Sequence, residues 1–309
     1  MRLNQVRAFV AVADCGSLRA AARRLGVSQP AMTKSIRGLE AELNAQLVQR
    51  TSRGVVPTAA GKVFLTRARV VQAELRKAGE EVAQIAGQRG GSVAFGLGLP
   101  ALALVPDALA DFHRQYPAVR LRVVEGAANA LVPLVRDETL DFCVSRRQPG
   151  EPEPGLRYRS LMRSRIVVAV RRGHPFSRAR ALSDLVDADW LVIRAPGTGG
   201  YLEPAFARAG LPLPQSIVHC ESYGIALTLL ATGDTIAALV AELLELPFLR
   251  TWLQEIKLDE PLPALPVGIY TRADAPLTPA AAALVKAVVT AARGRGRTSV
   301  LRSDSEIGA

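Results

Sequence analysis

Gln29, Thr33, Lys34 and Arg37 fall within nine residues, and their side chains have the chemistry of a partner for a polyanion with readable edges. Glutamine and arginine can make bidentate contacts to base edges, while lysine and threonine suit phosphate or base atoms. Met32, Ile36, Leu39 and Leu43 run through the same stretch at spacings of four, three and four, so a helix here buries one face and presents the polar set on the other. Ser28 is placed to cap that helix, and Pro30 is tolerated in a first turn whose amides have no intrahelical partner. Before it, Leu18, Ala21, Ala22 and Leu25 form a shorter apolar face capped by Ser17; Gly26 supplies the left-handed residue of a sharp turn, which Val27 is expected to plug. Leu3, Val6, Phe9, Val10 and Ala13 recur at helical spacing up to Gly16. Two short helices across a glycine turn, the second polar and basic on its outer side, make a helix-turn-helix. Leu47 to Arg50, the turn Ser52-Arg53-Gly54 and Val55-Val56 read as a β-hairpin, a wing carrying Arg50 and Arg53. The candidate DNA-contacting set is Ser28, Gln29, Pro30, Thr33, Lys34, Arg37, Arg50 and Arg53.

After Pro57, Thr58 caps a long helix in which Phe64, Ala68, Val71, Leu75, Ala78, Val82 and Ile85 are separated alternately by four and three residues. Such a stripe, two positions per heptad, is a coiled-coil seam, and the simplest partner is a second copy of the chain.

The charge distribution agrees. The chain of 309 residues carries a net charge of +11, and residues 1–90 hold 15 basic against six acidic side chains, a net +9. Residues 91–292 are balanced at 20 of each, and the tail from Arg293 adds +2. A basic reading head joined to a neutral domain is the expected pattern for a polyanion-binding module with a regulatory or catalytic partner. Cys15, Cys143 and Cys220 are few and scattered, as are His113, His174 and His219, so neither a disulfide framework nor a metal site is expected. The N-terminus lacks the apolar run of a secretory signal, and no stretch approaches ~18 uninterrupted apolar residues, so a cytoplasmic protein with no membrane partner is expected.

Beyond Gly87-Gln88-Arg89-Gly90-Gly91, a natural break, strand-like and helix-like runs alternate: Ser92–Leu97, a helix from about Leu102, Val119–Val124, a helix from about Ala130, and Leu140–Ser145. This order predicts a parallel sheet, and the later runs repeat the theme, giving two α/β subdomains with a cleft between them. Gly96-Leu97-Gly98-Leu99-Pro100-Ala101 formally matches the dinucleotide fingerprint, with Glu125 where a ribose-binding acid is sought. A dinucleotide-binding sensor or enzyme is therefore the competing reading, although Pro100 and two bulky leucines crowd the turn, and no nucleophile elbow, P-loop or metal cluster accompanies it. Cysteine-based redox sensing finds no basic motif beside Cys143 or Cys220.

The stretches SLRAAARRLGVSQPAMTKSIRGLEAEL (17–43) and LVQRTSRGVVPTAAGKVFLTRAR (47–69) closely resemble the LysR-type transcriptional regulators, as do, in outline, RVVEGAANALVPLVRDETLDFCV (122–144) and RRGHPFSR (171–178). Two departures are Val48, where many members carry Phe, and Gly98, where Ser or Thr is frequent. The resemblance implies a cytoplasmic, non-enzymatic regulator, an activator, that binds double-stranded DNA as a homodimer or homotetramer, with RNA polymerase as a further candidate partner. It also implies a C-terminal domain similar to a periplasmic binding protein, which takes a small-molecule effector and no cofactor. The expected layout is a winged helix-turn-helix over 1–57, a dimerisation helix over 58–87, an effector domain over 91–292 and a disordered basic tail over 293–309. Lobe I spans about 91–160 with 267–292, and lobe II about 161–266. The effector set is Gly98, Leu99, Asn129, Ser145, Arg146, Thr198, Gly199 and Ser222, with Arg147 as an alternative to Arg146. Arg146 can take an organic carboxylate or sulfonate bidentately, and the glycine-rich run Pro196–Gly200 is an ordinary connector or an anion-binding loop.

Overall fold

A computed structural model describes residues 1–305 except 53, 87–89, 148–153, 194–200, 261 and 263; of 84, 85 and 295–305 only the backbone is described. The chain divides into two compact units, residues 1–90 with 136–139, and residues 91–135 with 140–309.

The first unit begins with helices α1 (Leu3–Cys15), α2 (Leu18–Leu25) and α3 (Gln29–Leu43). Gly16 and Gly26 end the first two in the left-handed conformation (φ 63° and 66°), and the hydroxyls of Ser17 and Ser28 accept from Ala20 and Ala31 N–H at the starts of the next two. Val6, Phe9, Val12, Ala21, Met32, Ile36 and Leu39 form the core. Leu25, Val27 and Leu43, expected inside, are 40%, 45% and 38% exposed. They lie at helix ends or just past the left-handed turn, where the chain has already left the packed face.

The hairpin of β1 (Val48–Thr51) and β2 (Gly54–Pro57) pairs Val48 with Pro57 and Thr51 with Gly54. It leads into α4 (Ala59–Ile85), whose first turn is capped by Thr58: its hydroxyl accepts from Gly61 N–H at 3.0 Å and donates to the Gln46 carbonyl at 2.7 Å. The expected seam along α4 divides in two. Phe64 and Ala68 pack into the core of their own unit, Phe64 against Phe9 edge-to-face at 5.3 Å. Val71, Leu75 and Val82 are 47%, 48% and 68% exposed, and Ala78 is exposed with them. A 4-3 spacing reads the same whether its partner is the unit's own core or another helix, so only the C-terminal part of the stripe is left for a second chain. The side chain of Ile85 lies outside the described residues.

The second unit holds two five-stranded sheets. Its first strands and helices are β3 (Gly91–Leu97), a 3₁₀ helix (Leu99–Leu104), α5 (Val105–Gln115), β4 (Val119–Glu125), α6 (Ala128–Arg136), β5 (Phe142–Arg146) and β6 (Leu156–Ser164). There follow β7 (Ile166–Arg171), β8 (Asp189–Val192), α7 (Leu202–Arg208), β9 (Ile217–His219), α8 (Tyr223–Thr232), β10 (Thr235–Val240), α9 (Ala241–Leu244), α10 (Pro247–Trp252), β11 (Leu253–Ile256), β12 (Leu265–Arg272) and α11 (Pro279–Ser305). The strand orders are β4-β3-β5-β12-β6 in the first sheet and β11-β7-β10-β8-β9 in the second. The parallel sheet expected from the alternating runs is in fact mixed: β3 pairs in parallel with β4 and β5, but β12 returns antiparallel between β5 and β6. In the second sheet β7 is antiparallel to both β10 and β11. The chain crosses between sheets at Ser164–Ile166 and again between β11 and β12, and the second crossing sets the antiparallel direction of β12. The 3₁₀ helix stands where the sequence pattern predicts a longer α-helix from Leu102.

Helix α11 runs to Ser305, past residue 293 where the basic tail is expected to begin. Ala280, Ala281, Leu284, Val288 and Ala292 bury one face of α11 and supply the costly nucleus, after which each added residue contributes a hydrogen bond and no proline intervenes. Residues 306–309 lie outside the described residues.

Gly61 holds α4 against the wing. A Cβ there would lie 1.9 Å from the Leu47 carbonyl oxygen and 2.9 Å from its carbon, so backbone would have to move. Gly61→Ala is therefore expected to destabilise the first unit by about 2 kcal/mol or more, in the manner of overpacking, despite alanine's higher helix propensity. A urea titration of the variant checks this; a midpoint equal to or above that of the parent chain would contradict it.

Candidate DNA-reading face and effector cleft

On α3, Gln29, Pro30, Lys34 and Arg37 are exposed and Thr33 is half-buried, and with Gly38 they line one open groove. The structure thus brings five of the eight expected DNA-contacting residues together. Ser28 sits at the head of the same helix as its cap, and Thr33 donates its hydroxyl to the Gln29 carbonyl at 3.1 Å, so both hydroxyls serve the helix while keeping acceptor capacity. Arg50 is exposed on β1; Arg53 lies outside the described residues. Gly38 lets α3 lie close to α1, where a Cβ would meet Gln5 Nε2 at 3.0 Å. Glu40, to which the sequence pattern assigns no role, fixes the wing: its Oε1 accepts from the Leu47 and Val48 N–H groups at 2.8 and 3.1 Å. A carboxylate at the inner end of α3 thereby sets the start of β1, which binds the hairpin to the helix it flanks.

In the second unit a cleft of about 600 Å³, counted out to its open mouth, is lined among the described residues by Gly98–Pro100, Ala127, Ala128, Ser145, Arg146, Trp190–Ile193, Tyr201, Leu202, Tyr223 and Ala238. Four expected residues, Gly98, Leu99, Ser145 and Arg146, meet there. Ser145 is 2% exposed, and a Cβ at position 98 would lie 2.6 Å from its Oγ. The Ser145 hydroxyl therefore fills the space a side chain at 98 would need. The Arg146 guanidinium lies 5.9 Å from the centre of the Tyr201 ring. Arg147 instead stands over Tyr158 at 5.6 Å and is not among the lining residues. Asn129 is exposed on α6 and absent from the lining, and Ser222 caps α8 by accepting from Ile225 N–H at 3.4 Å. Thr198 and Gly199 lie outside the described residues.

Tyr223, next to Ser222, is a cleft residue that sequence reasoning misses. Its hydroxyl accepts from Leu99 N–H at 3.2 Å, and its own N–H donates to Glu125 Oε1 at 3.2 Å. This arrangement also decides the dinucleotide motif. Gly98 N–H donates to the Val144 carbonyl (2.8 Å), Ala101 N–H to the Gly98 carbonyl (2.9 Å), Leu99 N–H to Tyr223, and Pro100 has none. No amide of residues 98–101 is left to cradle a pyrophosphate, and the Glu125 carboxylate is already a hydrogen-bond acceptor for α8. Cys143 is buried, and burial pushes its thiol up to about 12, far from a reactive thiolate. Among the described residues no group of three or more His, Cys, Asp or Glu side chains is placed to hold a metal, and no helix is long and apolar enough to cross a membrane.

A winged helix-turn-helix with a polar reading face, followed by a two-lobed domain enclosing a cleft, defines a DNA-binding regulator with a ligand-binding domain. The model of the bacterial regulatory helix-turn-helix proteins of the lysR family matches residues 3–62, and that of the LysR substrate binding domain matches residues 86–293. The chain belongs to the LysR family of transcriptional regulators. It is 27% identical over 306 residues to the HTH-type transcriptional regulator GbpR of Azospirillum brasilense, covering 97% of this chain and 89% of that one. With the HTH-type transcriptional regulator GalR of Pseudomonas putida it shares 30% over 288 residues, 92% of this chain and 72% of the other. Among solved structures, CbnR, a LysR family transcriptional regulator, has a TM-score of 0.68 at 24% identity, covering 94% of this chain and 99% of that one. ArgP from Mycobacterium tuberculosis has a TM-score of 0.68 at 21% identity, covering 94% of this chain and 97% of that one. At these identities the structural likeness concerns the fold. The protein is a DNA-binding transcriptional regulator with a substrate-binding effector domain, not an enzyme.

Arg37→Ala is expected to weaken binding to the cognate promoter fragment by ~1–3 kcal/mol while leaving the melting temperature within about a degree of the parent's. Glu40→Ala should lower both, since two amides lose a charged acceptor, at a cost of ~2 kcal/mol of stability. Fluorescence anisotropy with a parallel thermal melt separates the two effects, and undiminished affinity in the Arg37 variant would place the DNA on another face.

Proposed function

We propose that this regulator reads promoter DNA through α3 and the β1–β2 wing as a dimer paired along α4, and that a small organic anion in the cleft modulates that binding. The observation that carries the ligand class is Arg146. Its guanidinium lies 5.9 Å from the centre of the Tyr201 ring, and Arg146 and Ser145 both line the cleft, while Leu99, Pro100, Leu191 and Ile193 make the rest largely apolar. A guanidinium fork takes a carboxylate or sulfonate bidentately, and an apolar remainder favours a carbon skeleton over inorganic phosphate. The cleft volume of about 600 Å³, counted out to its open mouth, suits a small ligand.

Pairing along α4 is supported by the exposed stripe Val71, Leu75, Ala78 and Val82, which keeps the 4-3-4 spacing of a two-stranded seam. A second copy related by a twofold axis covers like with like and places two reading heads on one duplex, raising affinity through effective concentration. Two such dimers make the homotetramer, which acts as an activator and engages RNA polymerase. Ligand binding changes the spacing of the paired DNA modules, which requires that the ligand prefer one arrangement over the other.

A thermal-shift panel of organic acids tests the ligand class. At 100 times its Kd an effector adds ~2.7 kcal/mol of stability, and Arg146→Ala should abolish the shift for every acid that stabilises the parent chain. Hits confined to uncharged compounds, or shifts untouched by the substitution, would contradict the assignment. Leu75→Glu should convert the assembly to smaller species in sedimentation; an unchanged mass would remove α4 from the interface.

A further inference from the structure

Tyr223 joins parts of the cleft that belong to different lobes. Its helix, α8, packs in the core of the second sheet with Ala226 and Leu230, whereas Leu99 and Glu125 follow or end strands of the first sheet. Tyr223 is 7% exposed and Leu99 8%, so the hydrogen bond from Leu99 N–H to the phenol is made out of water, where an unmade bond is costly. The second bond, from Tyr223 N–H to Glu125, lies nearer solvent. Between them runs the 3₁₀ helix, which is shared. Leu99 and Ala103 belong to the core of the second sheet, while Ala101 and Leu104 belong to that of the first.

We propose that Tyr223 is the latch of the effector cleft: it ties the two lobes together by clamping the Leu99 amide with its hydroxyl and Glu125 with its own amide. The inference rests on the cleft being the regulatory site, and it adds a positioning residue to that site. At Leu99 the opposed lobe is gripped at backbone, so that end of the clamp does not depend on a side-chain rotamer of Leu99; at Glu125 it is gripped through the carboxylate. Separating the lobes strips the Leu99 N–H of its acceptor and withdraws Leu99 and Ala103 from the second core in one movement. Residue 223 thereby sets how often the cleft opens to admit a ligand.

Hydrogen exchange of the ligand-free, full-length chain tests this. Tyr223→Phe keeps the ring and removes the hydroxyl; Glu125→Ala alters an exposed side chain and removes the other end of the clamp. Each should speed exchange about fivefold or more in peptides bordering the cleft on both lobes, 97–104 and 221–227, while α3 and the buried face of α11 keep the parent's rates. Unchanged exchange at 97–104 in both variants would overturn the latch. Acceleration spread uniformly over the whole second unit would also overturn it, because that is the signature of a merely structural tyrosine. Both comparisons are made without ligand, so a failure of the organic-anion reading is detected separately, by the absence of any stabilising acid for the parent chain.

Discussion

A six-residue 3₁₀ helix that belongs to two hydrophobic cores constrains the whole effector unit. Leu99 and Ala103 are packed with one sheet, Ala101 and Leu104 with the other, and the amides of this turn are spent on Val144, Tyr223 and Gly98. A packed interior is close to incompressible, so the element cannot follow one lobe without leaving the other. A movement of one lobe against the other must therefore repack this helix as a unit, which is the kind of discrete rearrangement whose population a ligand can shift. The same packing explains why Gly98 carries no side chain, since Ser145 Oγ occupies that space and brings a hydroxyl to the same wall.

The reading head obeys an analogous constraint on a smaller scale. The position of the wing relative to α3 is fixed by the Glu40 carboxylate gripping two amides of the first strand, and that of α4 by the contact of Gly61 with the Leu47 carbonyl. Residues 47 and 48 are therefore held from two sides. These two contacts fix the separation between α3 and the hairpin, on which the geometry of any helix-and-wing reading head depends. Val48 accepts this without a large ring: it is only half-buried, at the margin of the core.

The reading face of α3 is legible in the sequence because helical periodicity, serine caps and glycine stops all point to one local structure, and Met32, Ile36 and Leu39 then leave only one side for Gln29, Lys34 and Arg37. The seam of α4 is half legible: the heptad spacing is real, but Phe64 and Ala68 answer to their own core. The cleft is harder. Gly98, Leu99, Ser145 and Arg146 end or follow strands and lie where such sheets bind ligands, whereas Asn129 and Ser222 are suggested only by analogy of position and prove to be a surface residue and a helix cap. Tyr223 gives no signal, because its meaning depends on Leu99 and Glu125, 124 and 98 residues away. The antiparallel return of β12 likewise follows from a second crossing between sheets, a property of chain path that local pattern does not encode.

The central claim is that the state of the cleft governs how the reading head engages DNA. Its most direct measurement is the promoter affinity and footprint of the full-length Tyr223→Phe chain against the parent at one fixed salt concentration, since the substitution alters the cleft and leaves every residue of α3 and the wing in place. The account predicts a severalfold change in affinity or an altered footprint length, corresponding to a coupling of ~1–3 kcal/mol. Superimposable binding isotherms with identical footprints, in a variant whose cleft peptides exchange faster, would contradict it.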